Sequence, residues 1–177
     1  MPKFIIKISD AASADNFAAD AECFIIDTDG AGIDVSALCD RLQKAGKIVL
    51  LSGSRAVELC QSLPADGLIA DLRESSRIKQ DMAALRKACP NRVLGVVCRN
   101  RRHEAMIVSE NEPDFVIFRV WQDGWQKTRE LALWYSQLFL IQMAVEPEGA
   151  ADFADFGADM VILSPESYKI LLRKKKD

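Results

Sequence analysis

Three stretches of this chain are written to one pattern. "PADGLIADL" runs over 64–72, "EPDFVIFRV" over 112–120 and "GADMVILSP" over 157–165. Each places a small residue or proline before an aspartate, and then four or five mostly apolar residues. The aspartates Asp66, Asp114 and Asp159 stand 48 and 45 residues apart. A phrase that returns at such intervals belongs to a repeated strand–helix unit, in which the aspartate starts a strand.

The rest of the chain supports that unit. Apolar runs rich in Ile, Val, Leu and Phe occupy 4–9, 23–28, 47–52, 67–72, 92–98, 114–120, 138–145 and 159–164. They are nearly continuous rather than alternating, as parallel strands buried on both faces are. Helical patterns of about ten residues separate them. "DVSALCDRLQKAG" opens on Asp34 as N-cap and stops at Gly46. "SRIKQDMAALRKACP" lines up Ile78, Met82, Leu85 and Cys89 in one stripe before Pro90. "WQKTRELALWYSQL" sets Leu131, Trp134, Tyr135 and Leu138 on one face, which reads as core-facing rather than as a cofactor cage.

Eight strands and eight helices in 177 residues leave about 22 residues per unit. That accommodates a strand, a helix and two short loops. The expected architecture is a compact (βα)8 TIM barrel, a single domain over 1–177, with the three phrases opening strands four, six and eight. In a closed barrel, alternate strands fill common side-chain layers, so similar even strands are its natural imprint. Barrels of this class usually run to ~200–250 residues. The alternative, an open doubly wound sheet, requires two or three of the eight runs to be misread. The three aspartates sit at the bottom rim as structural residues.

Several function classes fall away on composition. The net charge of −3 supplies no long-range pull toward nucleic acid or an anionic membrane. No apolar run approaches the ~20 residues of a membrane span, and "PKFIIKISD" is too short for a signal peptide. Five scattered cysteines without a C-x-x-C pair read as free thiols in a reducing cytosol, with no zinc spacing. The expected location is cytoplasmic.

The order of motifs from residue 23 to 164 resembles the thiamine phosphate synthases and thiazole tautomerases. "LLSGSR", "PADGLIADL", "LGVVCRN", "EPDFVIF", "LIQMAV" and "GADMVILS" stand where that family has a strand ending in Asn-Asp-Arg, Gly-Ala-Asp-Gly-Val-His, Gly-Val-Ser, Gly-Ala-Asp-Tyr-Val, a strand ending in Gly-Gly, and Gly-Ala-Asp-Gly-Val-Ala. The resemblance implies the barrel fold. It does not extend to the functional positions. Asp27, Thr28 and Asp29 replace the family's Gln, Arg and Lys. In the Asn-Asp-Arg motif only Arg55 survives, so the magnesium-binding aspartate is missing; Met143 and Ala144 replace the paired glycines. A divergent, catalytically degenerate member is expected, with magnesium a cofactor only if the ancestral activity persists.

In such a barrel, function gathers at the C-terminal strand ends. Those ends offer Asp27, Asp29, Ser52, Ser54, Asp71, Cys98, Gln142, Glu146, Ser164 and Glu166, besides arginines. The densest feature is "CRNRRHE". Arg99, Arg101 and Arg102, together with Arg55, Arg73 and Arg119, are the candidate ligand-binding residues, because guanidinium forks hold phosphate or carboxylate bidentately. The plain reading beside it is a set of solvated arginines paired with Asp71, Glu74 and Glu104. His103 is the only histidine and falls in the first turn of a helix, and Cys98 is a buried thiol unless the arginines activate it. Asp27 and Asp71 share a magnesium ion or, as the better reading, pair with arginines. "DGAGID" has two of three dinucleotide-motif glycines and reads as a plain loop; "RKKK" suits a helix C-terminus. No catalytic residue is assigned.

Three readings follow. The first is a barrel that binds an anionic small molecule at its mouth with little or no catalysis. The second is an active thiamine phosphate synthase, a transferase. The third is a non-catalytic interaction scaffold. The ligand's identity and the oligomeric state are not written in the sequence.

Overall fold

A computed structural model describes residues 2–17, 19, 21–148 and 154–174. Strands β1 (Lys3–Ile8), β2 (Cys23–Asp27), β3 (Ile48–Ser52), β4 (Gly67–Asp71), β5 (Val93–Val97), β6 (Phe115–Val120), β7 (Gln142–Pro147) and β8 (Met160–Leu163) close in sequence order into an all-parallel barrel. Helices α1 (Ala11–Phe17), α2 (Val35–Lys44), α3 (Ala56–Ser62), α4 (Ile78–Ala88), α5 (Arg102–Glu110), α6 (Trp125–Leu138) and α7 (Pro165–Lys174) surround it. The expected barrel is present, and the open sheet is not.

The repeated phrase sets the register. Asp66 donates its N–H to the Val49 carbonyl at 2.8 Å, and its carboxylate accepts the Val49 N–H at 2.8 Å. Asp114 does the same to Leu94 (2.9 and 2.7 Å), and Asp159 to Met143 (3.0 and 2.9 Å). Each aspartate therefore extends the ladder by one side-chain bond and locks an even strand to the odd strand before it. A one-residue slip would break that reciprocal pair and turn every core side chain outward.

Three residues after each aspartate stands an isoleucine, Ile69, Ile117 or Ile162, and Ile25 follows Glu22 by the same interval. All four face the barrel interior in one apolar cluster with Ile5, Leu50 and Ala144. Two positions further on, the same face reaches the mouth as Asp27, Asp71, Arg119 and Ser164. The phrase thus encodes a clamp, a core residue and a mouth residue at fixed offsets.

Helix caps follow the expected chemistry in part. Asp34 accepts the Ala37 N–H at 3.0 Å to start α2, and Gly46 turns the chain at φ 76°. Along α4, Ile78 and Met82 are buried and Cys89 follows at the cap, with Leu85 half-buried. On α6, Leu131 and Tyr135 are buried and Trp134 is half-buried, but Leu138 is exposed. Tyr135 shares a 2.7 Å hydrogen bond with Ser109 and packs edge-on to Phe118 and stacked on Phe139, as a core residue.

Two expectations need correction. The seventh strand does not begin at 138. Helix α6 runs on to Leu138, and the Phe139 ring stays with the helix by stacking on Tyr135 at 4.6 Å. The apolar run is real but is shared between two elements. The second correction is the eighth helix. Among the described residues no α-helix lies between β7 and β8; a 3₁₀ turn at Ala154–Phe156 takes that place. Phe156 is fully buried there, edge-on to Trp125 at 4.6 Å. Of the terminal "RKKK", Lys175 and Lys176 lie outside the described residues.

Candidate functional site at the barrel mouth

The top of the barrel holds a cavity of about 730 Å³. Its floor is the ring of interior isoleucines, and its walls carry Lys7, Asp27, Ser52, Asp71, Arg119 and Glu146. Period-two alternation delivers these residues: Lys7 is two residues past the interior Ile5, and Arg119 two past Ile117.

The charges form one chain around the wall. Lys7 Nζ lies 3.1 Å from Glu146 Oε1, and Arg119 Nε donates to Glu146 Oε2 at 2.8 Å. Arg119 Nη1 then stands 3.5 Å from Asp71 Oδ2, an ion pair without a hydrogen bond. Arg73 grips the same carboxylate with Nε at 2.9 Å and Nη2 at 2.7 Å, and lies over the Trp121 ring. Burial alone would raise the Asp71 pKa. The hydrogen bonds and charge of Arg73, with the charge of Arg119, outweigh it and hold that carboxyl below its ordinary value. Asn100 steadies the centre of the chain, donating to the Arg119 carbonyl at 2.7 Å and to buried Thr128 at 2.9 Å.

Asp27 and Asp29 divide their work. Asp27 faces the cavity and accepts the Asp29 N–H at 3.1 Å, with no arginine beside it among the described residues. Asp29 caps the turn after β3, accepting from the Ser54 backbone at 2.9 Å and from the Ser54 hydroxyl, and those bonds lower its pKa. Gly53 permits this turn at φ 101°, where a Cβ would come within 2.6 Å of Thr28 Oγ1. Among the described residues, no group of three or more His, Cys, Asp or Glu could hold a metal ion.

The six candidate arginines do not gather in one place. Arg73 and Arg119 meet at Asp71. Arg99 stands at the rim between Glu74 and Glu104, 3.7 Å from each. Arg102 turns outward and lies 5.0 Å over the Trp134 ring. Arg101 is exposed at the N-cap of α5, and Arg55 is exposed at the N-cap of α3. The pairings with Asp71, Glu74 and Glu104 are therefore real. Gln142, expected at the mouth with Glu146, opens β7 at the opposite end, because that strand starts later than its apolar run suggests. Met143 and Ala144 are likewise away from the mouth. Lys7 joins the mouth unannounced by any motif; its one mark in the sequence is a lone lysine inside the apolar run "FIIKIS".

His103 is exposed in the first turn of α5. Cys98 is buried, and desolvation, with Glu104 nearby, pushes its thiol up to about 12. It is no thiolate nucleophile. Burial also pushes Cys23 and Cys60 up to about 12 from 9.0. A raised folded-state pKa contributes stability that is complete below about pH 9 and lost as the pH climbs toward about 12. Unfolding midpoints in urea should therefore fall steeply above about pH 9, with a slope of up to one proton per thiol. Cys98→Ala should flatten that slope; an unchanged slope would mean the thiol already ionises in the folded state.

No family model and no curated protein matches the chain. Solved structures do resemble it. The glycerol uptake operon antiterminator regulatory protein of Listeria monocytogenes aligns at a TM-score of 0.65 and 14% identity, over 92% of this chain and 91% of its own. The 3-keto-L-gulonate-6-phosphate decarboxylase of Vibrio cholerae aligns at 0.66 and 14%, over 98% and 96%. The orotidine 5'-monophosphate decarboxylase of Sulfolobus solfataricus aligns at 0.61 and 11%, over 96% and 90%. They share its fold. The expected membership of the thiamine phosphate synthases is corrected by these findings: the similar barrels belong to other families, and no sequence match ties the chain to that one. The three aspartate phrases that suggested it are the register clamp described above, which reports the scaffold and not the chemistry. No described helix is long and apolar enough to cross a membrane.

Proposed function

We propose that this chain is a small-molecule-binding barrel whose mouth holds a phosphorylated or carboxylated ligand through Arg119, Arg73 and Lys7. The observation that carries this reading is the meeting of Lys7 and Arg119 on the wall of a 730 Å³ cavity, with Arg73 standing behind that wall on Asp71. That volume lies within the range of drug-sized ligand sites. The Arg119–Asp71 pair at 3.5 Å is the loosest link of the charge chain. A ligand oxyanion replaces it at little cost and gains a charge-assisted bond. Asp27 and Glu146 are acceptors for ligand hydroxyls. Arg99, 41% exposed at the rim, adds attraction during encounter. Arg55, Arg101 and Arg102 lie outside the proposed contact set. In support, two of the similar barrels are named for phosphate-bearing substrates and one for regulation. Binding is the activity proposed; the buried Cys98 thiol and His103, outside the mouth, take no part in it.

The test is thermal. Inorganic phosphate at a hundred times its dissociation constant stabilises the fold by ~2.7 kcal/mol, roughly 5–10 °C for a chain of this length. Arg119→Ala removes that shift, and chloride at matched ionic strength does not reproduce it. If neither phosphate nor a carboxylate moves the transition beyond the chloride control, the barrel is an interaction scaffold instead.

A further inference from the structure

The cavity does not stay inside the barrel. Strands β3 and β4 pair only at Leu50–Gly67 and Leu51–Leu68, whereas β2–β3 and β4–β5 each pair over five registers. β3 ends at Ser52, one residue past its last pair, while β4 runs on to Asp71, so the upper part of β4 has no paired strand on that side. Both faces of β4 line the same cavity there, Ile69 and Asp71 from inside and Ala70 and Leu72 from outside. Ile69 keeps 9% of its surface exposed, against 1%, 0% and 1% for Ile25, Ile117 and Ile162 in the other even strands. Beyond the gap, the cavity is walled by α3 and α4 through Ala56, Val57, Ala84, Leu85 and Ala88. These five side chains are apolar, and three are alanines, which leave room; α4 also brings Asp81 to the lining, its carboxylate held by the Ser75 hydroxyl at 2.6 Å.

Ser52 stands at the edge of this gap. It is 8% exposed, lines the cavity, and its hydroxyl is buried with no hydrogen-bond partner among the described residues. A buried hydroxyl left unpaired costs about 1–3 kcal/mol, so its place in a cavity wall points to a partner supplied by a ligand.

We infer that the ligand is amphipathic: its anionic head lies beside Arg119 and Lys7, and a short apolar tail passes Ser52 through the β3–β4 gap into the chamber under α3 and α4. This rests on the anion site proposed above. The Ser52 hydroxyl donates to the oxygen that joins head to tail. The ligand class is a phosphate monoester of an alkyl or prenyl alcohol, and the charge chain at one end with the alanine-lined chamber at the other sets its orientation.

A homologous series separates tail from head. Inorganic phosphate and n-alkyl phosphates from ethyl to octyl are titrated into the whole chain by calorimetry. Each added methylene tightens binding up to about fourfold while the chamber fills, and Ser52→Ala weakens the alkyl phosphates about tenfold. Ala84→Trp, on the α4 wall, collapses the series so that octyl phosphate binds no better than ethyl phosphate. Phosphate binding with no dependence on chain length overturns the tail and leaves the anion site standing. A chain-length dependence that survives Ala84→Trp places the tail elsewhere and overturns the inference. Failure of every member to bind overturns both readings.

Discussion

Replacing Asp66, Asp114 and Asp159 together by alanine removes about half or more of this barrel's stability at 25 °C. Each carboxylate accepts the N–H of the second residue of an odd strand, at 2.7–2.9 Å, where no other acceptor is offered. Losing a hydrogen bond to a charged group and stranding a buried N–H costs about 1.5–3 kcal/mol. The three clamps act on different strand pairs and share no partners, so their losses add to about 5–9 kcal/mol. Domains of this size are stable by only about 5–15 kcal/mol. Asp→Asn at the same positions keeps an acceptor oxygen and costs less, which separates the bond from the charge. Circular dichroism and urea titration measure both. A triple alanine variant that folds with less than about 1 kcal/mol lost would show that the phrase recurs for another reason.

That phrase also shows which parts of the molecule were legible. The offset from clamp to core residue to mouth residue is a property of the strand's period, so barrel and register were open to a reading of sequence. The displaced start of β7 was not, because "LFLIQMAV" is apolar throughout and only the stacking of Phe139 on Tyr135 assigns its first half to the helix. Nor was the 3₁₀ turn that stands between β7 and β8 among the described residues, with Phe156 buried in it. At the mouth, the arginines were visible as a crowd in "CRNRRHE", but chain proximity is a poor guide on a helix start: Arg99 and Arg102 diverge to the rim and to Trp134. The partners that matter to Arg119 are Glu146, on the neighbouring β7, and Asp71, two strands away on β4, both far away in sequence. Lys7 is marked in the sequence only by being charged within the apolar run "FIIKIS". The unpaired upper part of β4 left no mark on composition at all.

Glu146→Gln is expected to tighten phosphate binding by ten- to a hundredfold while weakening the empty protein. Glu146 neutralises Lys7 at 3.1 Å and Arg119 at 2.8 Å, with these side chains only 26% and 28% exposed. Such partly desolvated pairs interact through an effective dielectric well below that of water, worth a few kcal/mol at contact. The glutamine keeps the shape and an acceptor but gives up the charge. Two cations are then left facing the cavity, at a cost of about 1–3 kcal/mol to the unliganded fold. A phosphate dianion recovers that cost on binding, so the destabilisation should disappear in saturating phosphate. Added salt should erode the gain, since screening acts on the part still open to solvent.

Arg119→Ala should act in the opposite direction, because it removes the donor that the anion replaces Asp71 to reach. The most direct measurement is therefore the phosphate affinity of the unaltered chain, Glu146→Gln and Arg119→Ala, taken side by side by calorimetry at one ionic strength. An anion-binding mouth requires tightening in the first variant and loss in the second. If both variants weaken phosphate equally, or neither changes it, the anion binds elsewhere or not at all, and the charge chain of the mouth serves only to hold the barrel together.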